Sequence, residues 1–438
     1  MPTEIGEGEI MKKLLAMLLT LALAITAFAA CGTTDSGSSD GEGKKPVKVG
    51  LICLHDENST YDKNFIDAFN AACAAKGVTA VIKTGVPEGT QCYDEAADMA
   101  DDGVKLVFAD SFGHEPYMIQ AAKEFKDVQF FHATGTQAHT VQLANYHNAF
   151  ASIYEGRYLA GVAAGAKLAE MYNDGVLTSD NYDADGNVKV GYIGAFTYAE
   201  VISGYTSWFL GVRNTFESLV SGKSVSMEVQ FTGSWYHEVD EKTAANNLIT
   251  RGAALISQHA DSWGAPNACE TAGIPNVSYN GSTESRCPNT FIISSRINWQ
   301  PYFEACIDDV LNNKAIAYDY TGALGTTYTN GSVCLTELGK TAPAEGTQAL
   351  IDAAAAKLRN KEAFVFDVST FTVGGNNLTS YMADVDDLKN DAGESTYEPD
   401  TEVIKSYNGI SYFAESEFRS APYFDLRIDG ITLLNQMY

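Results

Sequence analysis

Positive charge is scarce in this chain of 438 residues: 29 Lys and Arg stand against 56 Asp and Glu, a formal net charge of −27. Nucleic acid and an anionic lipid surface are both repelled by that balance, so neither is expected as a partner. No Cys-x-x-Cys pair occurs among the eight cysteines, which removes the usual zinc and thiol-redox signatures. An HExxH motif, a phosphate-binding loop and a GxGxxG after the first strand are missing as well. The GxSxG match at Gly37–Gly41 lies in a polar stretch, without the strand-to-helix elbow a serine hydrolase needs. The apolar run Leu14–Ala30 falls short of the roughly 20 residues of a membrane span.

That run has another reading. Lys12 and Lys13 precede it and Ala29-Ala30-Cys31-Gly32 ends it, the layout of a secretory signal with a lipobox, Phe28 standing where Leu is usual. Residues 1–30 are therefore expected to be a signal peptide and Cys31 the lipid anchor, tethering the protein to the membrane. Met1–Ile10 carries Glu4, Glu7 and Glu9 where a signal should be basic, so Met11 is the expected start. Residues 31–46 read as a flexible tether of Gly, Ser, Thr and Asp, spanning roughly 20 Å. Outside the cell the seven other cysteines leave at least one thiol unpaired; buried thiols and disulfides both stay open.

From Val47 onward, short apolar segments alternate with amphipathic ones. Val47–Cys53, Val78–Lys83, Leu106–Ala109 and Val128–His132 read as strands, separated by helices over Asn64–Lys76, Tyr93–Asp101 and Pro116–Phe125. A second such series begins after Tyr146, with a helix over Glu155–Met171 carrying Ala160, Gly161, Ala164 and Gly165 for close packing. The expected fold class is α/β, with two parallel-sheet lobes around a cleft. Open sheets of this kind bind ligands beyond the strand C-termini. After Tyr320 the pattern weakens: Ala363–Val373 looks strand-like and Asp384–Glu402 like a polar surface insertion. Asn181–Gly186 resembles the start of a calcium loop but has Tyr192 where the bidentate glutamate belongs, so it reads as a turn. His237, Glu238, Asp240 and Glu241 read as an acidic helix start rather than a metal site.

Several strand-end loops carry more than fold. Asp56-Glu57-Asn58-Ser59-Thr60-Tyr61-Asp62-Lys63-Asn64-Phe65 resembles the D-x-G-x-x-D-D-K-x-F signature of the BMP (basic membrane protein) family of ABC-transporter substrate-binding lipoproteins, which includes purine nucleoside receptors. Asp110-Ser111-Phe112-Gly113, Phe130–Gly135, Glu155-Gly156-Arg157-Tyr158-Leu159-Ala160-Gly161, Glu200-Val201-Ile202, Gly233-Ser234-Trp235, Gln258–Ser262 and Asn298-Trp299 follow in family order. The resemblance implies a type I periplasmic-binding-protein fold with three hinge crossings, placed near Ala149, Asn280 and Ala317. The first lobe is then 47–149 plus 281–317 and the second 150–280 plus 318–438. It further implies a monomeric binding protein that is not an enzyme, needs no cofactor or metal, and hands a small molecule to an ABC permease.

A purine needs aromatic faces above and below and hydrogen-bonding groups in its plane. By resemblance Phe65 and Trp235 are the stacking pair, one from each lobe, while Asp56 and Asp261 accept from ring N–H or amino groups. Tyr61, Ser111, Phe112, Asn280 and Trp299 complete the expected site. Phe65 also fits the core face of its helix, and Asp261 could cap the helix at Pro266. The nucleoside receptors hold ribose with an aspartate and a lysine. Alignment through Tyr279–Gly281 and Ile293–Trp299 puts Asn280 and Ile297 there instead, with Arg296 one residue away as the alternative cation and bulky Trp299 close by. A free base is therefore expected to bind at least as tightly as its nucleoside. A sugar or amino-acid ligand, a surface hydrolase and an adhesin are the rival readings.

Overall fold

The computed structural model describes residues 46–325, 331–386 and 396–438. The expected leader, Cys31 and the tether as far as Lys45 lie outside the described residues, as do positions 387–395 of the acidic insertion. On either side of the latter, Met382–Ala383 and Thr401–Glu402 pair as an antiparallel ribbon.

The first sheet holds β1 (Lys48–Ile52), β2 (Thr79–Lys83), β3 (Leu106–Ala109), β4 (Gln129–Ala133), β5 (Tyr146–Ala151) and β11 (Asp319–Gly322). Their order is β2-β1-β3-β4-β5-β11 and every pairing is parallel. Val49–Ile52 and all of β3 and β5 are buried, as strands covered by helices on both faces must be. The second sheet holds β6 (Val188–Gly194), β7 (Val225–Phe231), β8 (Ile256–Gln258), β9 (Asn276–Tyr279), β10 (Phe291–Ile297) and β12 (Val333–Leu335). The strand Ile431–Leu433 extends it beyond β7. Only β12 runs antiparallel there.

Sheet membership corrects the expected lobe boundaries. Residues 281–297 were assigned to the first lobe, yet β10 pairs with β9 and β12 in the second sheet. The chain crosses after Ala151, again between Ile297 and Gln300, and again between Gly322 and Val333. The expected crossings at Asn280 and Ala317 thus fall too early. Tyr279-Asn280 is a strand end with Asn280 at φ 63, a loop signature that a sequence reading mistakes for an exit from the lobe. Beyond the second sheet, Ala363–Val373 is not one continuous strand: Asp367 makes a single antiparallel bridge to Tyr412, Thr372–Val373 pairs with Asn376–Asn377, and Phe366 and Phe371 are buried.

Two helices set the second lobe. Ile153–Asn173 packs along Ala199–Leu219 at backbone contact, since a Cβ on Gly161 would lie 2.2 Å from the Trp208 carbonyl oxygen. One on Gly211 would lie as close to that of Tyr158. In the first lobe, the Thr60–Lys76 helix starts four residues before the expected Asn64 because Ser59 caps it, accepting from the Asp62 N–H at 3.2 Å. Gly77, at φ 66, ends it in a left-handed turn. No helix among the described residues is long and apolar enough to cross a membrane.

Candidate functional site

Every loop that enters the cleft leaves the C-terminal end of a parallel strand or opens the helix behind it. The first lobe contributes Leu54 and His55 after β1, Tyr61 and Asp62 at the start of the Thr60–Lys76 helix, Asp110, Ser111 and Phe112 after β3, and Thr134 after β4. The second contributes Glu200, Trp235 after β7, His259 and Asp261 after β8, and Tyr279 at the end of β9. Together they line one cleft cavity. A ligand here lies at the carboxyl ends of both sheets, where the loops of the two lobes converge.

The lobes meet directly. Thr60 of the first donates its N–H and its hydroxyl to the Asp261 carbonyl of the second, at 3.0 and 3.1 Å. Asn64 donates to the Ile297 carbonyl at 2.8 Å. At the rim the Phe112 ring stacks on Tyr198 with centroids 5.2 Å apart, and His55 lies 5.4 Å from Tyr236.

Two loops of the second lobe are locked to each other. Asp261 donates its N–H to the Trp235 carbonyl at 2.9 Å. Buried Glu241 accepts from the His237 N–H at 3.0 Å and from the Ser262 N–H at 3.1 and 3.2 Å. Burial pushes the Glu241 carboxyl up to about 7. The His237–Glu241 cluster is thus the start of the Glu238–Thr250 helix, where His237 Nδ1 caps Asp240. Asp261 does not cap the following helix, because Ser262 Oγ accepts from Gly264 N–H there.

Two carboxyl groups in the wall are strongly perturbed. Burial raises Asp261 well above the usual carboxylate range, with the charges of Asp62, Glu241 and Glu200 adding to it. Burial followed by the Asp62 charge does the same to Asp110. Asp110 Oδ1 accepts from the Leu54 N–H at 3.1 Å, while Oδ2 is buried without a hydrogen-bond partner among the described residues. Cys53, Asp62 and Asp110 bring donor atoms within 4.8 Å of one another. Burial keeps the Cys53 thiol protonated, which makes this a poor metal site.

Of the residues expected in the site, Tyr61, Ser111, Phe112, Trp235 and Asp261 line the cavity. The other four do not. Asp56 is exposed and turns back to accept from Asn58, at 3.0 Å from its N–H and 2.9 Å from its amide. Phe65 is fully buried, its ring stacked on Trp299 at 4.6 Å, so both belong to the first-lobe core. Tyr61, one turn nearer the open end of the same helix face, is the aromatic that reaches the cleft. Asn280 stands behind the wall, its amide donating to Asp261 Oδ1 at 3.2 Å. Leu54, His55, Asp62, Asp110, Thr134, Glu200, His259 and Tyr279 were not anticipated. Most of them sit inside the motifs already singled out, which a spacing argument cannot resolve residue by residue.

Two α/β lobes bring their strand-end loops together over one cavity, and the fold is the type I periplasmic-binding-protein fold. The model of the Bmp family, ABC transporter substrate-binding protein PnrA-like, matches residues 54–357, and the chain belongs to that family. A purine-binding protein of Brucella abortus (strain 2308) is 31% identical over 270 residues, 61% of this chain and 69% of that protein. An ABC transporter protein of Haloferax volcanii proposed to bind glucose is 26% identical over 227 residues, 52% of this chain and 51% of that one. Among solved structures, a solute-binding protein from Aeropyrum pernix K1 superposes with a TM-score of 0.60 at 15% identity, covering 72% of this chain and 92% of that one. One from Conexibacter woesei DSM 14684 gives 0.54 at 20% identity, covering 73% and 98%.

Proposed function

We propose that this ABC-importer binding protein captures a purine, and that it takes the free base at least as well as the nucleoside. The observation that carries the reading is the make-up of the cavity wall: the rings of Tyr61, Phe112, Trp235 and Tyr279 line it together with the carboxyl groups of Asp62, Asp110, Glu200 and Asp261. Flat rings suit a π-surface, and carboxyl groups suit its N–H rim. Among the described residues no Lys or Arg lines the cavity, which disfavours a phosphate or the carboxylate of an amino acid. The name of the Brucella relative points the same way. A sugar, suggested by the proposed ligand of the Haloferax relative, would want donors mixed among the acceptors.

The base preference rests on Asn280 and Ile297. Asn280 spends its amide on Asp261, and Ile297 is buried with its carbonyl taken by Asn64, so neither offers ribose a charged partner. Trp299, fully inside the first-lobe core, plays no part in excluding the sugar. In this reading Cys31 carries the lipid that holds a monomeric receptor at the outer face of the membrane, beside its permease. Calorimetry of adenine against adenosine, and hypoxanthine against inosine, on ligand-stripped protein tests the preference. Nucleosides binding about tenfold more tightly than both bases overturn it, while failure of all four to bind overturns the purine reading.

A further inference from the structure

The cavity wall carries carboxyl groups on Asp110, Glu200 and Asp261, while several of its polar hydrogens point back into the protein. Tyr61 gives its hydroxyl hydrogen to the Asp110 carbonyl at 2.8 Å, and Ser111 gives its own to Glu88 at 2.6 Å. Behind this wall lies Arg157, fully buried, from the Glu155–Gly161 motif. Its Nη1 donates to the Gln258 carbonyl at 2.9 Å and its Nη2 meets His259 Nδ1 at 3.0 Å. Its guanidinium carbon sits 3.3 Å from the centre of the Tyr279 ring.

A guanidinium donates and never accepts. Nδ1 of His259 is therefore the lone-pair nitrogen, and the ring proton sits on Nε2, which faces Glu200 Oε1 at 3.3 Å. Burial, reinforced by the Arg157 charge, keeps that ring neutral. The direction of donation runs one way, from Arg157 through His259 to Glu200, and it leaves Glu200 an acceptor at the cavity wall. The Tyr279 hydroxyl, buried without a partner among the described residues, is a donor for a ring nitrogen.

We infer that Glu200, oriented by Arg157 and His259, makes the site select purines bearing an exocyclic amino group over those bearing only a carbonyl; this rests on the purine reading above. Adenine presents two amino hydrogens and one ring N–H, and guanine presents more. Hypoxanthine has no amino group, and where adenine donates to Glu200 it turns the lone pairs of a carbonyl toward that acceptor. One hydrogen bond to a charged group is the difference, about 10- to 100-fold in affinity.

The test is calorimetry of adenine, guanine and hypoxanthine on ligand-stripped full-length protein, wild type and Glu200→Gln. The wild type should bind adenine and guanine at least about tenfold more tightly than hypoxanthine. In Glu200→Gln, whose amide can donate to a carbonyl, that ratio should fall below about threefold. A merely structural role for Glu200 would weaken all three ligands alike. Hypoxanthine binding the wild type as tightly as adenine, or a ratio unmoved by Glu200→Gln, overturns the inference and leaves the purine reading standing. Failure of every purine to bind overturns both.

Discussion

Replacing Phe65 and Trp235 in turn by alanine should give opposite phenotypes, although by family resemblance they are a matched pair. Phe65 is wholly buried, with ring centroids 4.6 Å from Trp299, 4.8 Å from Tyr61 and 5.8 Å from Phe108. Truncating such a ring leaves a cavity and costs about 3–5 kcal/mol, a large share of the roughly 5–15 kcal/mol that holds a typical protein folded. Trp235 is half-buried on the cavity wall, with its ring edge-on to Phe196 at 5.1 Å. Its removal should weaken ligand binding by about 1–3 kcal/mol, or about 5- to 150-fold, with a stability loss near 1 kcal/mol. Chemical denaturation and calorimetry on both variants separate the two roles. Phe65→Ala folding normally while losing its ligand would refute the placement of Phe65 in the core. Trp235→Ala unfolding easily with intact affinity would refute its placement at the ligand.

Gly161→Ala should destabilise the protein by about 1–3 kcal/mol or more, because its Cβ would press on the Trp208 carbonyl at 2.2 Å; a denaturation midpoint equal to wild type would contradict the helix contact. Burial pushes Glu241 up to about 7 and Glu415 up to about 8, against roughly 4.3 for an unfolded chain. Their folded forms hold the proton more tightly, so the stability this supplies is whole below about pH 4.3 and is lost as pH rises through 7 and 8. The thermal midpoint should therefore be higher at pH 6 than at pH 9, and Glu415→Gln should shrink that gap; an unchanged gap counts against the assignment. Cys31→Ala should release the protein into the medium and abolish labelling by a palmitate analogue, whereas full membrane retention would exclude lipid anchoring.

What could be read from the sequence was whatever rests on periodicity or on local turn chemistry. The parallel strands of both lobes announce themselves as short apolar runs, and Gly77 marks the end of its helix. Lobe membership is less visible, because nothing in the residues of β10 marks its lobe and only its pairing with β9 and β12 assigns it. The site divides along the same line. Trp235 lies in a loop where core packing is less natural, Asp261 in one where a helix cap was the alternative, and both reach the cavity. Phe65 occupies the same helix face as Tyr61, and which of the two meets the ligand depends on the Ser59 cap that sets where the helix begins. Asp56 failed for a local reason: an Asp two residues before an Asn is well placed to fold back onto it. Glu200 and His259 stood within quoted motifs, but their linkage through Arg157 spans about 100 residues of sequence and becomes evident only in three dimensions.

The central claim is that the cleft holds a purine, and the most direct measurement is to ask the protein what it carries. Protein purified without added ligand, extensively washed and then denatured, should release a purine at up to one equivalent, identified by mass spectrometry of the supernatant. Release of a sugar or an amino acid in that proportion would contradict the account.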